Sequence, residues 1–589
     1  MKIFHQIRIL NKEEMLLTSI NSNKERVPFG SFIGLAVMCL VLFITACGPL
    51  EDNDYPWLIV DENQDGDGTD GGEAKVTLKV MEGEMLKGMP WMLDYTKHSY
   101  QYMRANSIDS YAGYMTVSQN NFIYGGPLPT TYTFPNPYLG GPMGASLKLF
   151  PQLINAYMYA EQLGVPEWKA IAQIMYAYSM HEIIDIYGAV PFDDLRNLKE
   201  NPPINYESAE KVYFKIFDEL EEAIKVLKER APTSYDLAKI EGVQGGLSQG
   251  KWQLWVKFAN SIRLRMAMNM VKVKPAKAQE IAEAAVNDEI GVLQYTDIAY
   301  TDENSSKQNH PLYDISAGWD DLRLGGSLEN ILKHFNNPLI GVWFTKNSSP
   351  IYSKEGNSTG FEVGADYFGI RQGVPMIDKS NKTQGYGMYS YFKVATFPRS
   401  LLKVSEVLFL RAEGALRGWN MGGDAKSLYE EGIKRSFDEN GIGNQYEAYV
   451  AQDKLPVVDY VDPYDQANNI EGRVSIGVKW NDIDTKELKL EKIITQKYIA
   501  NFGMGAEAWT TFRRTGYPRL FPVRINNWPG VDTELQLRRI PYIQTDNNAA
   551  DIATSLIPAL GGSNEGGQRI WWDVATEDYN NGKVVPRNF

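Results

Sequence analysis

A histidine and two acidic residues at helical spacing are the first candidates for chemistry in this chain. His181, Glu182 and Asp185 match part of the zincin pattern His-Glu-x-x-His. Zinc binding of that kind needs a second imidazole one turn after the first, with the Glu as general base. Asp185 occupies that second position, and no third ligand pattern follows it. We therefore interpret His181 and Asp185 as a polar i,i+4 pair on a helix.

Two pairs of adjacent carboxylates, Asp193-Asp194 and Asp320-Asp321, raise the question of glycoside hydrolysis. A glycosidase needs two carboxyl groups roughly 5–10 Å apart across a cleft, one of them with a raised pKa. Adjacent residues in a loop give no support for that geometry, so we predict capping or solvated roles. The patterns of serine hydrolases, P-loops and dinucleotide sites are not found where a strand would lead into them. The sequence therefore favours a protein that is not an enzyme and uses no metal or cofactor.

Tryptophan offers a different chemistry, because a flat ring covers the apolar C–H face of a sugar while polar neighbours bind its hydroxyls. Trp319 lies in the irregular stretch 317–323, which holds three polar partners. We predict that this ring and these partners bind ligand: Trp319, Asp320, Asp321 and Arg323. Other candidate ligand-binding rings stand near the start of the fold or in the same loop-rich region: Trp91, Trp343 and Tyr367. For each ring, packing in the core is the alternative.

Other aromatic and basic residues fit structural roles. Two tryptophan pairs are predicted to pack helices or the C-terminal layer: Trp252 with Trp255, and Trp571 with Trp572. Arg513 and Arg514 are predicted to hold carboxylates or carbonyls through their planar guanidinium groups. A buried arginine pair is costly unless it is matched, so we expect an acidic partner.

The elements that must position these residues are helices in two parts of the chain. Apolar residues recur at three-to-four spacing in the segments 146–163, 167–187, the helix capped by Ser208, 252–271, 276–288, 400–417, 424–437 and 486–502. Residues 290–398 and 515–589 are predicted to be loop-rich. Consecutive helix pairs with short turns indicate a mostly α fold, with a scaffold of tetratricopeptide-like hairpins over about 145–290 and 400–502. A clean 34-residue sequence repeat is not found.

The N-terminal segment has the features of an export signal. The apolar run over residues 29–47 is short for a membrane-spanning helix, and basic residues precede it. It ends in Ile-Thr-Ala-Cys, so cleavage before Cys47 would leave that cysteine as a lipidated N-terminus. We predict a lipoprotein signal peptide over 1–46, whether translation begins at Met1 or Met15. A short membrane anchor is the alternative.

Residues 47–75 are predicted to be a flexible acidic tether, because they contain too little apolar surface to fold. Part of this stretch has the spacing of a calcium-binding EF-hand loop: Asp61, Asn63, Asp65 and Gly66. The position that should supply a bidentate Glu is Gly72, and no helical pattern flanks the loop. We therefore favour a tether over a calcium site.

The composition limits the partners of the chain. In 589 residues, 43% are hydrophobic, which is enough for a large core. The formal net charge of −14 argues against nucleic acid and against adhesion to anionic lipid, so membrane attachment would depend on acyl chains. The two cysteines are Cys39, within the signal, and Cys47. The mature protein is therefore expected to lack a disulfide and a cysteine metal site.

Several motifs are similar to those of one family. The first half contributes DIYGAVPF (185–192), YESAEKVYFKIFDELEEAI (206–224) and KWQLWVKFANSIRLRMA (251–267). The second half contributes SEVLFLRAEGALRGW (405–419), YEEGIKRSF (429–437), QKYIANFGMGAEAWTTFRRTGYPRL (496–520), RRIPY (538–542) and GGQRIWWD (566–573). With the lipidation motif and in this order, they resemble the SusD/RagB nutrient-binding lipoproteins of Bacteroidetes from about residue 90 onward.

This resemblance implies an architecture and a partner. It implies one domain over 76–589, with a tetratricopeptide-like scaffold and a ligand site on loops at the opposite side. It also implies docking as a lid on a TonB-dependent SusC-like transporter of the outer membrane. The acidic residues that follow Cys47 resemble the signal that sends such lipoproteins to the cell surface: Glu51, Asp52 and Asp54.

The expected function is capture of a nutrient, with an oligosaccharide as first candidate, and its delivery to the transporter. Peptide capture is the alternative within binding proteins, as the RagB name implies. A surface glycoside hydrolase is a further alternative, and it requires two carboxylates that converge in one pocket. A purely structural helical scaffold would instead have no ligand pocket.

Overall fold

The computed structural model describes residues 76–88, 97–119, 129–133, 136–197, 203–233, 248, 250–297, 309–355, 360–376 and 385–589, with the backbone alone for 86, 88 and 136–149. Cys47 and Trp91 lie outside these residues, as do the predicted signal and tether. The described residues of 76–197 and 205–589 belong to one compact unit. The predicted division into signal, tether and a single domain stays a prediction.

Helices dominate the described residues. The first set is α1 (Leu78–Gly88), α2 (Lys97–Tyr100), α3 (Ile108–Tyr111), α4 (Asn136–Leu163), α5 (Pro166–Tyr187), α6 (Phe192–Arg196), α7 (Ala209–Glu229), α8 (Trp252–Asn269) and α9 (Pro275–Val286). The second set is α10 (Pro311–Tyr313), α11 (Gly326–His334), α12 (Leu339–Trp343), α13 (Val404–Leu416), α14 (Ala425–Glu439), α15 (Tyr446–Val450), α16 (Lys486–Ala500), α17 (Gly505–Thr515), α18 (Ala549–Asp551) and α19 (Ile557–Leu560). The fold class predicted from the sequence, mostly α, is confirmed.

Local sequence signals account for several helix ends. Helix α5 ends where Gly188 takes a left-handed conformation with φ of 81°, as its position in the sequence predicts. Ser208 caps α7 by accepting from the amide of Lys211 at 3.4 Å, as predicted. The apolar stripe of α7 is buried throughout: Tyr213, Phe217, Leu220, Ile224 and Leu227.

Consecutive helices pack as hairpins, which is the arrangement of tetratricopeptide-like proteins. Helix α4 packs on α5 across a two-residue connection, α5 packs on α7, α8 packs on α9, and α13 packs on α14. None of the helices in the described part of the chain has the length and apolar character that membrane crossing requires.

Six short strands form three antiparallel pairs among the described residues. The strands are β1 (Met115–Val117), β2 (Ala189–Val190), β3 (Glu207–Ser208), β4 (Leu322–Leu324), β5 (Asp578–Asn580) and β6 (Lys583–Val585), paired as β1 with β4, β2 with β3 and β5 with β6. In the first pair Met115 lies opposite Leu324 and Val117 opposite Leu322. This pairing fixes the segment that immediately precedes β4, which contains Trp319.

A buried polar centre joins the helical hairpins to the C-terminal layer. The Asp185 carboxylate accepts from the Tyr213 hydroxyl at 2.5 Å and from Trp572 Nε1 at 2.7 Å. His181 Nε2 lies 2.9 Å from the same carboxylate, which confirms the predicted i,i+4 pair. The histidine and aspartate therefore serve packing between α5, α7 and the C-terminal segment.

The predicted acidic partner of the arginine pair is Glu413. Arg514 binds its carboxylate through two hydrogen bonds of 2.7 and 2.6 Å. Burial opposes ionisation of Glu413, but the guanidinium groups of Arg514 and Arg417 outweigh it and lower the pKa of the carboxyl to about 2. Arg513 instead donates to the carbonyl of Arg538 at 2.8 Å. Both structural roles predicted for the pair are confirmed.

Candidate functional site

Trp319 occupies a turn between the π-helical turn Asp314–Gly318 and strand β4. Its amide donates to the Asp314 carbonyl at 2.8 Å, which closes the π turn. The next residue, Asp320, has φ of 61°, in the left-handed region that short polar side chains tolerate best after glycine. Since β4 then pairs with β1, the turn is held from both sides.

The Trp319 indole is half-buried and is surrounded by polar side chains from two other segments. The His98 ring lies with its centroid 4.8 Å away, and Lys97 Nζ lies 5.3 Å from the indole centroid. The Asp314 carboxylate accepts from Lys97 at 3.3 Å and from the Asn309 amide at 2.8 Å. We call Trp319, Lys97, His98, Asn309 and Asp314 the Trp319 cluster.

The electrostatics of this cluster suit an uncharged polar ligand. Partial burial, and then the positive charge of Lys97, lower the pKa of His98, so its imidazole is neutral at pH 7. The ammonium of Lys97 faces the Asp314 carboxylate, so the two charges offset each other. What remains is an apolar ring with nearby amide, imidazole, ammonium and carboxylate groups, the types that contact sugars.

Asp320 and Asp321, the two acidic residues predicted to bind ligand, form hydrogen bonds that hold the turn of Trp319. The buried Asp321 carboxylate accepts from Gln101 Nε2 at 2.9 Å and from Gln119 Nε2 at 2.7 Å. The Asp320 carboxylate accepts from Arg323 at 3.1 Å. Both acids therefore hold the backbone that carries Trp319.

Arg323, which the sequence predicts to bind ligand, is fully buried. Its guanidinium donates to the carbonyl of Gly387 at 2.7 Å, of Leu322 at 2.8 Å and of Ser316 at 3.1 Å. Burial lowers the pKa of Arg323, although the Asp320 carboxylate opposes that effect. Because these donors are directed at backbone carbonyls, we assign Arg323 to positioning of the turn.

The remaining predicted rings lie elsewhere. Trp343 is 0% exposed, stacks on Phe502 with centroids 4.5 Å apart, and donates from Nε1 to Asn440 at 2.7 Å. We therefore place Trp343 in the core, which was the alternative for each ring. Tyr367 is half-buried in a separate segment, with its ring centroid 5.9 Å from Lys346 Nζ.

The acidic pair Asp193-Asp194 lies in the first turn of helix α6, near the surface. Asp193 pairs with Lys215 at 2.6 Å, and Asp194 accepts from the backbone amide of Asn205 at 2.7 Å. Asp193 is exposed and Asp194 is partly exposed, which agrees with the solvated role predicted for the pair, whereas neither side chain caps the helix. Among the described residues, no group of three or more histidine, cysteine and acidic side chains is placed to hold a metal ion.

A small polar cavity lies among α2, α5 and α17. Its volume is about 50 Å³, and its walls include Arg104, His181, Glu182, Arg265, His310 and Arg399. We locate the candidate ligand site at the Trp319 cluster instead, because there a half-buried ring lies beside exposed polar side chains.

Comparison with known proteins identifies the family. The sequence profile of the SusD-like family, described as Susd and RagB outer membrane lipoprotein, matches residues 61–573. The chain belongs to the SusD-like family. The resemblance drawn from the sequence motifs is thus confirmed, and members of this family are binding proteins.

Solved structures agree with this assignment. A chitin-binding SusD homologue from Flavobacterium johnsoniae is 32% identical, with a TM-score of 0.70 over 84% of this SusD-like chain and 99% of its own. A SusD homologue from Bacteroides vulgatus is 28% identical, with a TM-score of 0.73 over 85% and 98%. A SusD-like protein from Bacteroides thetaiotaomicron is 28% identical, with a TM-score of 0.72 over 85% and 100%. No curated protein matches the chain.

Four members of the Trp319 cluster were not predicted from the sequence of this SusD-like protein. Lys97 and His98 come from α2, while Asn309 and Asp314 flank α10. The rarity of histidine was one available signal: the chain has five histidines, and His98 is one of them. Nothing in the local pattern, however, indicates that residues more than 200 positions apart meet at one ring.

Proposed function

We propose that this protein is a cell-surface lipoprotein that binds an oligosaccharide at the Trp319 cluster and delivers it to a SusC-like transporter. The observation that carries the proposal is a half-buried indole on a fixed turn, surrounded by polar side chains. Such a ring is already oriented before the ligand arrives, so little ordering entropy is lost on binding.

The chitin-binding relative supports the choice of ligand class. At 32% identity it suggests an oligosaccharide of N-acetylglucosamine as the first ligand to test. A neutral amino sugar matches the cluster, because Lys97 and Asp314 already offset each other and His98 is neutral. Trp319 would cover the apolar face of one sugar ring, while Asn309 and Asp314 bind its hydroxyl or amide groups.

Lipid attachment at Cys47 and partnership with a transporter complete the proposal. The family is one of outer-membrane lipoproteins, and Cys47 stands at the end of the signal pattern. Two or more acyl chains would retain the acidic body at the membrane without a spanning helix. Labelling with a fatty acid should mark the wild-type chain and not Cys47→Ala, and the full chain should co-purify with a TonB-dependent transporter from a Bacteroidetes host.

Calorimetric titration of the full chain in detergent tests the ligand site. Oligosaccharides of N-acetylglucosamine, glucose and xylose, and a set of peptides, are titrated into wild type, Trp319→Ala and Trp252→Ala. We expect one glycan to bind wild type and Trp252→Ala equally, and Trp319→Ala about 10- to 100-fold more weakly. Binding of peptides alone, or glycan binding indifferent to Trp319→Ala, would reject the proposal.

A further inference from the structure

A second tryptophan is presented in a manner similar to Trp319. Among the described tryptophans, those that are only half-buried are Trp252, Trp319, Trp528 and Trp571. Trp252 begins helix α8, and Trp571 packs against Tyr213 of α7 with centroids 5.5 Å apart. Trp528, like Trp319, lies in a loop.

The loop that carries Trp528 is held in one conformation by its own hydrogen bonds. The Asn526 carbonyl oxygen Oδ1 accepts from the Trp528 amide at 3.0 Å, and Asn526 Nδ2 donates to the Val531 carbonyl at 2.6 Å. The Val531 amide donates back to the Trp528 carbonyl at 3.0 Å. The loop is therefore closed around Trp528 without help from a ligand.

Contacts from three other segments fix the loop to the body. The Ile525 amide donates to the Gly373 carbonyl at 3.0 Å, and the Asn527 amide donates to the Thr131 carbonyl at 3.0 Å. The indole Nε1 of Trp528 donates to the Glu565 carboxylate at 2.8 Å. Since both backbone and ring are anchored, the orientation of the indole is set in advance.

The side chains around this ring are of the types that bind sugar hydroxyls. Asn527 and Glu565 are both exposed, and Asn527 Nδ2 donates to the half-buried Thr133 hydroxyl at 3.1 Å. An amide, a carboxylate and a hydroxyl therefore border the indole. This repeats the combination of ring and polar border found at Trp319.

We propose that Trp528, with Asn527, Glu565 and Thr133, forms a second sugar-binding platform that takes the same class of oligosaccharide. This inference rests on the proposed function, because it extends glycan binding from one site to two. A glycan long enough to reach both sites would gain avidity over a glycan that occupies one of them.

Calorimetry that counts binding sites tests this inference on the full chain in detergent. Trisaccharides of N-acetylglucosamine, glucose, xylose and mannose are titrated, and the tightest binder is used with the variants. We expect two sites in wild type and in Trp252→Ala, one in Trp319→Ala, one in Trp528→Ala, and none in the double variant. Trp528→Phe keeps a flat ring and should retain the second site, with affinity reduced about 2- to 10-fold.

The outcomes separate the two claims. A single site that Trp319→Ala removes and Trp528→Ala leaves unchanged would overturn the second platform and keep the proposed function. Absence of binding of every trisaccharide to wild type would overturn both. The midpoint of thermal unfolding of each variant must lie within about 3 °C of that of wild type. If Trp528→Ala fails to fold, the weakened affinity of one of the two sites in Trp528→Phe serves as the test.

Discussion

The helical scaffold and the loop-rich region use charged side chains in opposite ways. In the scaffold, Glu413 and Arg514 are completely enclosed and bind each other through two hydrogen bonds. At the Trp319 ring, Lys97 of α2 and Asp314 of the loop-rich region remain partly exposed at a single contact of 3.3 Å. The first pair holds helices together, whereas the second leaves groups available to a ligand. Stability and recognition are thus assigned to different parts of one chain.

The largest expected effect is on the scaffold. Glu413→Gln leaves Arg514 buried without the carboxylate that it binds, and we expect the free energy of unfolding to fall by about 3–5 kcal/mol. Denaturant unfolding measures this loss. The matched control is Glu471→Gln, whose pair with Lys583 is exposed, and it should change stability by less than about 1 kcal/mol. Equal effects of the two variants would remove the distinction between buried and exposed pairs.

Acid should weaken the scaffold through the same carboxyl. Because the folded pKa of Glu413 is about 2 and lies below the ordinary value, its contribution is complete above about pH 4.5 and is lost as the pH falls toward 2. The pKa of Glu507 is also lowered to about 2, because burial opposes its ionisation but Lys497 and Arg265 outweigh that effect. Wild type therefore loses the contributions of both carboxylates in acid, whereas Glu413→Gln loses that of Glu507 alone. Stability measured from pH 5 to pH 2 should therefore fall less steeply in Glu413→Gln than in wild type. Parallel curves would contradict the assignment.

An intermediate effect is expected where the scaffold meets the site. Arg323→Lys cannot reproduce the hydrogen bonds to Gly387, Leu322 and Ser316, because a lysine has one compact donor group. We expect a stability loss of about 1–3 kcal/mol, accompanied by weaker glycan binding as the turn of Trp319 loosens. Unfolding and calorimetry on the same preparation measure both. Weaker binding without loss of stability would instead indicate direct contact between Arg323 and ligand.

The smallest effect is expected at the edge of the ring. Lys97→Met removes the ammonium 5.3 Å from the Trp319 centroid and the pair with Asp314. We expect glycan affinity to fall about 2- to 5-fold and stability to be unchanged within about 0.5 kcal/mol. Calorimetry measures this change in affinity. The control is Lys346→Met, which removes a lysine that lies beside Tyr367. If Lys97→Met lowered glycan affinity as much as Trp319→Ala does, the charge of Lys97, and not the ring, would be the main contact.

Much of the scaffold could be predicted from local sequence, because its determinants are local. The helix end at Gly188 and the cap at Ser208 follow from one residue each, and the acidic partner of Arg514 was required by the cost of burial. The start of α4 at Asn136, ten residues before the predicted start, was missed because its first turns contain glycine and proline. Helix α11, within the predicted loop region, was missed because it has only nine residues.

The site could be predicted only in part, because exposure of a ring depends on distant residues. Trp319 and Trp343 stand in the same loop-rich stretch, and the sequence favours Trp319 as a ligand contact only through the polar residues beside it. The contact of Trp343 with Phe502 places it in the core, while the turn closed by Asp314 leaves Trp319 half-buried. Neither arrangement has a local signal. Asp321 was predicted to bind ligand, and its hydrogen-bond partners Gln101 and Gln119 lie about 200 residues earlier.

The most direct test of the account is a crystal structure of the chain with the oligosaccharide that binds it in solution. We predict a sugar ring parallel to the Trp319 indole, with hydroxyl or amide groups hydrogen-bonded to Asn309 or Asp314, and helices of the scaffold unchanged. A sugar bound against the scaffold helices, with the Trp319 cluster empty, would contradict the division of roles between the two regions.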